Sequence, residues 1–330
     1  MKKIPILMAA DDNYVRYLWV AMLSILKNKY ESTSYDFYIL SPRPYAKSVS
    51  NEFYELAKLY EGTTLNFIQV KSLFCSKDKQ ILPEATYYYL KIADIIKEYD
   101  KAIYLDPDII VLKDLTELFE IDLGDNYVAG VKAAGYVKDT KYAQAIDLKD
   151  ISQYINANSL VFNLKKIRED NLTSKFIIYS QNNYPSMDQD VLNVVCYNHI
   201  LHIPFKYNVM TKYLPVKNNR RYNYNLLKEV YGETNLNEAE KDPIVIHYAN
   251  VGEKPWNMRI IKDSYWWKYA RLSPWRGYLI LSFIKNYILR YLNKVMKSCF
   301  HIKKFYNGNQ RIKQYNLLGF TIVQTKKRKK

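Results

Sequence analysis

Short apolar runs and helix-period segments alternate through the first two-thirds of this 330-residue chain, and few folds accommodate that order. Ile4–Ala10 reads as a buried strand and Tyr14–Asn28 as a helix, with Val15, Leu18, Trp19, Met22, Ile25 and Leu26 at helical spacing. Tyr35–Leu40 is strand-like, Val49–Tyr60 helical, Leu65–Val70 strand-like and Ala85–Lys97 helical. Ala102–Leu105 is then a strand that stops at Asp106. Such alternation predicts an α/β fold with a Rossmann-like, mostly parallel central sheet flanked by helices. In sheets of this kind ligands bind outside the carboxyl ends of the strands. Asp11 and Asp106 both stand where a strand ends. Further along, Leu160–Leu164 and Ile244–His247 read as strands and Gln189–Tyr197 as a helix.

Composition narrows the class. An apolar fraction of 48% and a charged fraction of 25% suit a folded globular chain rather than a disordered one. Three widely spaced cysteines, Cys75, Cys196 and Cys299, form neither a disulfide framework nor a metal cluster and fit a reducing cytoplasm. The apolar start is too short for a signal peptide, and no run reaches the roughly 20 residues of a membrane span. The net charge of +16 is concentrated at one end. From Lys254 onward there are 19 lysines and arginines against one acid, Asp263, so the tail carries +18 and residues 1–253 carry −2. That shift suggests a boundary, with 1–260 as the main domain and 261–330 as a basic, aromatic, helical region.

The most informative segment is Ala102-Ile103-Tyr104-Leu105-Asp106-Pro107-Asp108-Ile109-Ile110-Val111-Leu112. A buried strand delivers two carboxylates one residue apart. Carboxylates that close repel, so a divalent cation is a natural partner, and a cation can neutralise charge on a diphosphate leaving group. A simple turn around Pro107 is the competing explanation. His247 ends a second apolar strand. Imidazole beside two carboxylates makes a mixed nitrogen and oxygen set suited to Mn²⁺ more than to Mg²⁺, although Mg²⁺ also fits. Lys254 follows as a compact charge for phosphate oxygens, and Gly252 lets backbone approach a ligand. A core histidine and a solvated lysine are the alternatives.

Taken together these residues resemble glycosyltransferase family 8, which includes bacterial lipopolysaccharide galactosyl- and glucosyltransferases and glycogenin. The correspondence runs in order over about residues 1–260. Ala9-Ala10-Asp11-Asp12-Asn13-Tyr14 resembles the opening nucleotide-binding loop and Tyr104-Leu105-Asp106-Pro107-Asp108 the metal motif. Asn156-Ala157-Asn158-Ser159-Leu160 with Asn163-Leu164 resembles the sugar-contacting loop and strand. Met187-Asp188-Gln189-Asp190-Val191-Leu192-Asn193 resembles the active-site segment, and His247-Tyr248 with Lys254-Pro255-Trp256 the closing motif.

The resemblance implies a GT-A fold, a nucleotide-diphosphate donor (usually a UDP-sugar), a glycan or lipid-linked glycan acceptor, and retention of anomeric configuration. Asp106, Asp108 and His247 would ligate Mn²⁺. Ala9, Asp11 and Asn13 would contact the nucleoside, Gly252 and Lys254 the phosphates, and Asn156, Asp188 and Gln189 the donor sugar, with Gln189 near the reacting carbon. Three features depart from the pattern, one of them the closing loop, Asn250-Val251-Gly252-Glu253, which is one residue longer than usual. Tyr89 stands where an arginine is usual, and Asn158 where a glycine is usual, a change that suits a turn needing positive φ because asparagine visits that region.

Arg276–Ser298 reads as an amphipathic helix. Ile280, Phe283, Ile284, Tyr287, Ile288, Tyr291, Leu292 and Val295 lie opposite Asn286, Arg290, Asn293, Lys294 and Lys297, and the chain ends in Lys326-Lys327-Arg328-Lys329-Lys330. Apolar bulk facing cations suits an anionic membrane interface, implying an enzyme peripheral on the cytoplasmic face. Packing of that helix on the catalytic domain is the competing account. A nucleic-acid-binding protein would use the same charge, but the near-neutral body and the lack of a recognised motif speak against it. A sugar-nucleotide nucleotidyltransferase would carry a glycine-rich basic loop after the first strand, where this chain has acidic Asp11-Asp12.

Overall fold

The computed structural model describes residues 2–70, 84–219, 221–250, 252–307, 310–317 and 320–328. Cys75, Val251 (on which the length of the closing loop depends) and the last two lysines lie outside the described residues. The chain divides into two compact units, one of residues 1–254 with 260–275, the other of 255–259 with 276–330.

The first unit begins with β1 (Lys2–Ala9), α1 (Val15–Lys27), β2 (Thr33–Ser41), α2 (Lys47–Lys58) and β3 (Thr63–Gln69). After a 3₁₀ segment, Glu84–Lys91, come α3 (Ile92–Ile95), β4 (Lys101–Leu105), β5 (Ile109–Val111), α4 (Thr116–Glu120), β6 (Val128–Lys132) and α5 (Thr140–Ala145). Next are β7 (Ile155–Asn163), α6 (Leu164–Glu169), α7 (Leu172–Tyr179), α8 (Met187–Val195), β8 (Ile200–His202) and β9 (Val209–Met210). The unit closes with α9 (Tyr224–Tyr231), α10 (Glu233–Lys241), β10 (Val245–His247) and α11 (Asp263–Ala270).

Seven strands form the main sheet in the order β3-β2-β1-β4-β7-β6-β8. The pairs β1–β2, β2–β3, β1–β4 and β6–β8 are parallel, whereas β7 runs antiparallel to both β4 and β6. The alternating sequence thus folds as expected, into a mostly parallel sheet. A small second sheet, β5-β10-β9, pairs β10 antiparallel to β5 and parallel to β9. α1 shows why the periodicity was legible: Leu18, Val20, Ala21, Met22 and Ile25 are fully buried, whereas Lys27 at its end stays outside. Each such leucine, valine, isoleucine or methionine side chain contributes about 1.5–3 kcal/mol on burial.

One element differs from its expected form. The helix expected over Ala85–Lys97 is a 3₁₀ segment followed by a single α turn. Tyr87, Tyr88 and Tyr89 are all buried, so consecutive aromatic rings must leave the backbone in different directions into the core. One amphipathic α face cannot supply that.

The second unit contains α12 (Arg276–Cys299), β11 (Phe300–Asn307), β12 (Gln310–Leu317) and β13 (Phe320–Arg328). The expected helix is present. The three-stranded antiparallel sheet that follows it was not anticipated from the sequence, because its strands mix lysines with apolar residues and show no clean alternation.

Candidate active site

The site lies where the two sheets meet at strand ends. β4 pairs with β7 so that Leu105 faces Ser159, and the next step brings the Asp106 amide to the Asn158 carbonyl at 3.1 Å. β5 pairs with β10 so that Ile109 faces His247, and the Tyr248 amide donates to the Asp108 carbonyl at 3.1 Å. β1 pairs with β4 at Leu7 and Tyr104, a register that brings Ala9 level with Asp106. Residues far apart in sequence therefore converge because strand pairing fixes their level.

Asp108 is the hub. Its carboxylate accepts from Lys254 Nζ at 2.5 Å and from Asn158 Nδ2 at 3.1 Å, and His247 Nε2 lies 3.7 Å away, beyond hydrogen-bond reach. Lys254 also donates to the Tyr248 carbonyl at 2.7 Å. Asp106 accepts from Asn158 Nδ2 at 2.8 Å and from the Tyr104 hydroxyl. Asn158 would be tolerated in a turn that needed positive φ. It sits instead in β7 without positive φ, and its amide bridges the two aspartates. Gly252 does adopt positive φ, +76°, a conformation in which glycine costs least.

Burial and the neighbouring Asp108 push the Asp106 carboxyl up to about 7, against hydrogen bonds from Tyr104 and Asn158. Burial acts on Asp108 too, but Lys254 and His247 outweigh it and hold Asp108 well below the usual carboxylate range. Burial lowers His247, which keeps the imidazole neutral. Asp188 is pushed well above the usual range by burial and by Asp106.

The sugar-side residues form a second cluster. Gln189 Oε1 accepts from Asn156 Nδ2 at 2.8 Å and from the Ala157 amide at 3.2 Å, while its Nε2 donates to the Tyr154 hydroxyl at 3.0 Å. Tyr154 in turn donates to Asp190, which also accepts from Tyr142 and from the Ser186 amide. Asn193 clips α8 to β7, exchanging 2.8 and 2.9 Å bonds with the Ile155 backbone. Tyr89 is buried, stacks on Tyr104 with centroids 4.4 Å apart, and donates to the Asp188 carbonyl at 3.3 Å. Where an arginine was expected there is an uncharged ring, and among the described residues no cation pairs with the Asp188 carboxylate. Asp11 closes its own loop, accepting from the Asn13 and Tyr14 amides at 3.0 Å each and from Asn13 Nδ2 at 3.1 Å.

Among the described residues, no group of three His, Cys, Asp or Glu side chains is assembled into a ready metal cage. Lys254 lies on Asp108 where a cation would compete for the same oxygen. The donor set nevertheless suits a divalent ion: two carboxylates, a neutral imidazole, and the buried Asn158 Oδ1, which has no hydrogen-bond partner.

Two residues near the site, Lys212 and Asn208, were missed from sequence, and Tyr14 was named in the opening loop without a role of its own. Tyr14 immediately precedes α1, and burial together with the charges of Asp108 and Asp106 pushes its hydroxyl to about 12. Lys212 follows β9 and is pushed down to about 8 by burial and by the Lys254 ammonium. Its ammonium lies 5.1 Å over the Tyr213 ring and makes no ion pair among the described residues. Asn208 is fully buried beside His247. No local pattern marks Asn208 and Lys212, because β9 between them is only two residues long.

A mostly parallel sheet whose central strand ends at paired aspartates, with an amide cluster beside them, is the arrangement of a GT-A-fold glycosyltransferase, the class that comparison with known proteins gives this chain. Residues 5–259 match the family described as Glycosyl transferase family 8, and the chain belongs to that family. It is 28% identical over 283 residues to a lipopolysaccharide 1,2-glucosyltransferase of Escherichia coli K12, covering 81% of this chain and 77% of that one. General stress protein A of Bacillus subtilis strain 168 is 26% identical over 283 residues, covering 82% of this chain and 94% of the relative. Among solved structures, galactosyltransferase LgtC in complex with donor and acceptor sugar analogs superposes with TM-score 0.66 at 26% identity, over 83% of this chain and 99% of LgtC. The bifunctional glycosyltransferase WbbM shares the fold with TM-score 0.73 at 23% identity, over 87% of this chain and 52% of WbbM.

Proposed function

We propose that this chain is a retaining hexosyltransferase that moves galactose or glucose from a UDP-sugar to a cell-surface glycan acceptor such as lipopolysaccharide. The observation that carries the reading is the convergence of Asp106, Asp108, His247 and Lys254 on one side with Asn156, Asp188 and Gln189 on the other. Mn²⁺, or Mg²⁺ in its place, would be held by Asp106, Asp108 and His247. When bound it would supply positive charge to the diphosphate of the donor.

The chain's own groups do the rest. Ala9, Asp11 and Asn13 hold the nucleoside, and Gly252 brings backbone to the phosphates. Lys254 turns from Asp108 to the leaving phosphate, and Lys212 adds charge on the same side. Asn156, Asp188 and Gln189 hold the sugar. The bond from the anomeric carbon to the diphosphate oxygen breaks as the acceptor hydroxyl oxygen attacks from the same face. Its proton goes to the departing phosphate. UDP release from a panel of UDP-sugars, with and without Mn²⁺, tests this. Mn²⁺-dependent release from one sugar is expected, and folded protein that neither binds nor hydrolyses any of them would refute it.

The acceptor is placed at a membrane surface. No helix among the described residues is long and apolar enough to cross a bilayer. On α12, however, Ile280, Leu281, Ile284, Tyr287, Ile288, Tyr291, Leu292 and Val295 are 39–69% exposed. At 100° per residue they fall within an arc of roughly 140°. This apolar arc, joined to the basic tail, supports peripheral attachment to an anionic leaflet. Sedimentation with vesicles of phosphatidylglycerol is expected to retain the protein. The double substitution Ile284→Asp and Ile288→Asp should release it at least tenfold without changing UDP release in solution, and undiminished binding would reject the helix as the anchor.

A further inference from the structure

Asn208 stands in the loop just before β9, is fully buried, and touches both halves of the site. Its Oδ1 lies 3.0 Å from His247 Nδ1, and its Nδ2 lies 2.9 Å from Asn156 Oδ1. Asn156 continues to Gln189, and Gln189 to the backbone amide of Ala157. The distances alone leave each side-chain amide free to be turned over, since oxygen and nitrogen are alike in size. One member of the chain has no such freedom. The Ala157 N–H is a donor and nothing else.

That fixed donor sets every orientation behind it. It requires Gln189 to present Oε1. An oxygen there accepts from Asn156, so Asn156 must present Nδ2 to Gln189 and Oδ1 to Asn208. Asn208 must then donate through Nδ2, which leaves Oδ1 facing His247. A carbonyl oxygen facing Nδ1 requires the proton on Nδ1. His247 Nε2 is thereby left with a bare lone pair pointing towards Asp108, 3.7 Å away.

We infer that Asn208 is a positioning residue that ties the two halves of the catalytic site together, holding His247 in the tautomer whose Nε2 can ligate a metal and holding Asn156 in the orientation that serves Gln189 and the donor sugar. The inference rests on the proposed roles of His247 and Asn156. Outer partners of this kind fix the ring orientation of a ligating histidine, and their loss costs about 10–100-fold in metal affinity or activity. The relay also explains why so polar a group is tolerated in a fully buried position: both of its ends are satisfied.

Two substitutions separate the two ends. Asn208→Ala removes both bonds. Asn208→Asp is isosteric and still accepts from His247 Nδ1–H, but it puts oxygen against Asn156 Oδ1. If Asn156 turns over to relieve that contact, its own oxygen meets Gln189 Oε1, which the Ala157 amide holds in place. Mn²⁺ affinity by electron paramagnetic resonance, kcat and KM for donor hydrolysis, and the imidazole ¹⁵N shifts of the metal-free protein are the readouts. The chain has only four histidines, so His247 can be assigned by its own substitution.

Wild type should show His247 as the Nδ1–H tautomer. Asn208→Ala should lose that bias and bind Mn²⁺ about 10–100-fold more weakly. Asn208→Asp should keep the tautomer and Mn²⁺ affinity within about threefold, yet lose kcat by about 10–100-fold. A Asn208→Ala protein with unchanged tautomer and Mn²⁺ affinity, or an Asn208→Asp protein with full kcat, would overturn the inference. Should the alanine variant not fold, the isosteric aspartate variant carries the test. Should wild type bind no Mn²⁺, the metal reading fails, and the ¹⁵N shifts of wild type against Asn208→Asp and Asn208→Ala still decide whether Asn208 sets the tautomer.

Discussion

Asp108→Asn is expected to fold normally and to lose on the order of 10³-fold in Mn²⁺-dependent UDP release. The carboxylate is the one group that meets Lys254, Asn158 and the His247 edge together, so no neighbour can replace its charge. The new amide can still accept from Lys254, and Lys254 keeps its 2.7 Å bond to the Tyr248 carbonyl, which is why the fold should survive. Circular dichroism with a thermal melt checks folding, and UDP release checks turnover. Full activity in a folded Asp108→Asn protein would remove Asp108 from the proposed metal site.

The second large effect concerns Lys254, whose ammonium neutralises buried carboxylates in the metal-free protein. Lys254→Met should cost about 3–5 kcal/mol of stability without a divalent cation, the usual penalty for stranding a buried charge. Below about pH 7 the penalty should shrink. Asp106 already rises to about 7 beside Asp108, and without Lys254 the pair can bind a proton. A carboxyl whose folded pKa lies above its unfolded value loses stability as pH rises through the folded value, so the variant should be weakest at pH 8 and above. Mn²⁺ should restore much of the melting temperature, because a cation again compensates the same oxygens. Thermal melts at pH 6 and pH 8.5, with and without Mn²⁺, check both parts. Equal melting under all four conditions would show that Lys254 does not serve as the counter-charge. Turnover should fall by about 10²-fold even in the presence of metal, since the leaving phosphate loses a donor.

These two experiments bear on one electrostatic arrangement. Lys254 occupies the Asp108 oxygen that a cation would take, so Lys254 and the Asn158 amide hold the proposed metal ligands together without one. Asn158 is therefore not a tolerated stand-in for glycine. Its side chain occupies the space between two repelling carboxylates, and its other end is left unpaired. Tyr89 shows the opposite kind of departure. It fills the core behind Asp106 and brings no cation to Asp188, whose carboxyl burial and the neighbouring Asp106 raise. Asn158 changes what lies between Asp106 and Asp108 without altering charge, whereas Tyr89 takes a positive charge away from the neighbourhood of Asp188.

Much of this was legible in the sequence. The short apolar runs of β1 and β2 and the period-3.6 patterns of α1 and α2 are local, so reading them requires no knowledge of distant neighbours. Asp106 and Asp108 declare themselves because they end an apolar run, and His247 does so for the same reason. The ordered motifs from Ala9 to Lys254 were enough to suggest the family that residues 5–259 match. Tertiary structure alone decided the rest. Lys254 reaches Asp108 across 146 positions of sequence, a contact created by the pairing of β10 with β5. Asn208 and Lys212 flank a two-residue strand that has no periodicity to read, and their roles come entirely from what faces them. The C-terminal sheet stayed hidden because its register is set by strand pairing and its residues carry no clean alternation. Local physics writes itself into sequence, whereas the partner of a buried polar group is settled only when distant strands meet.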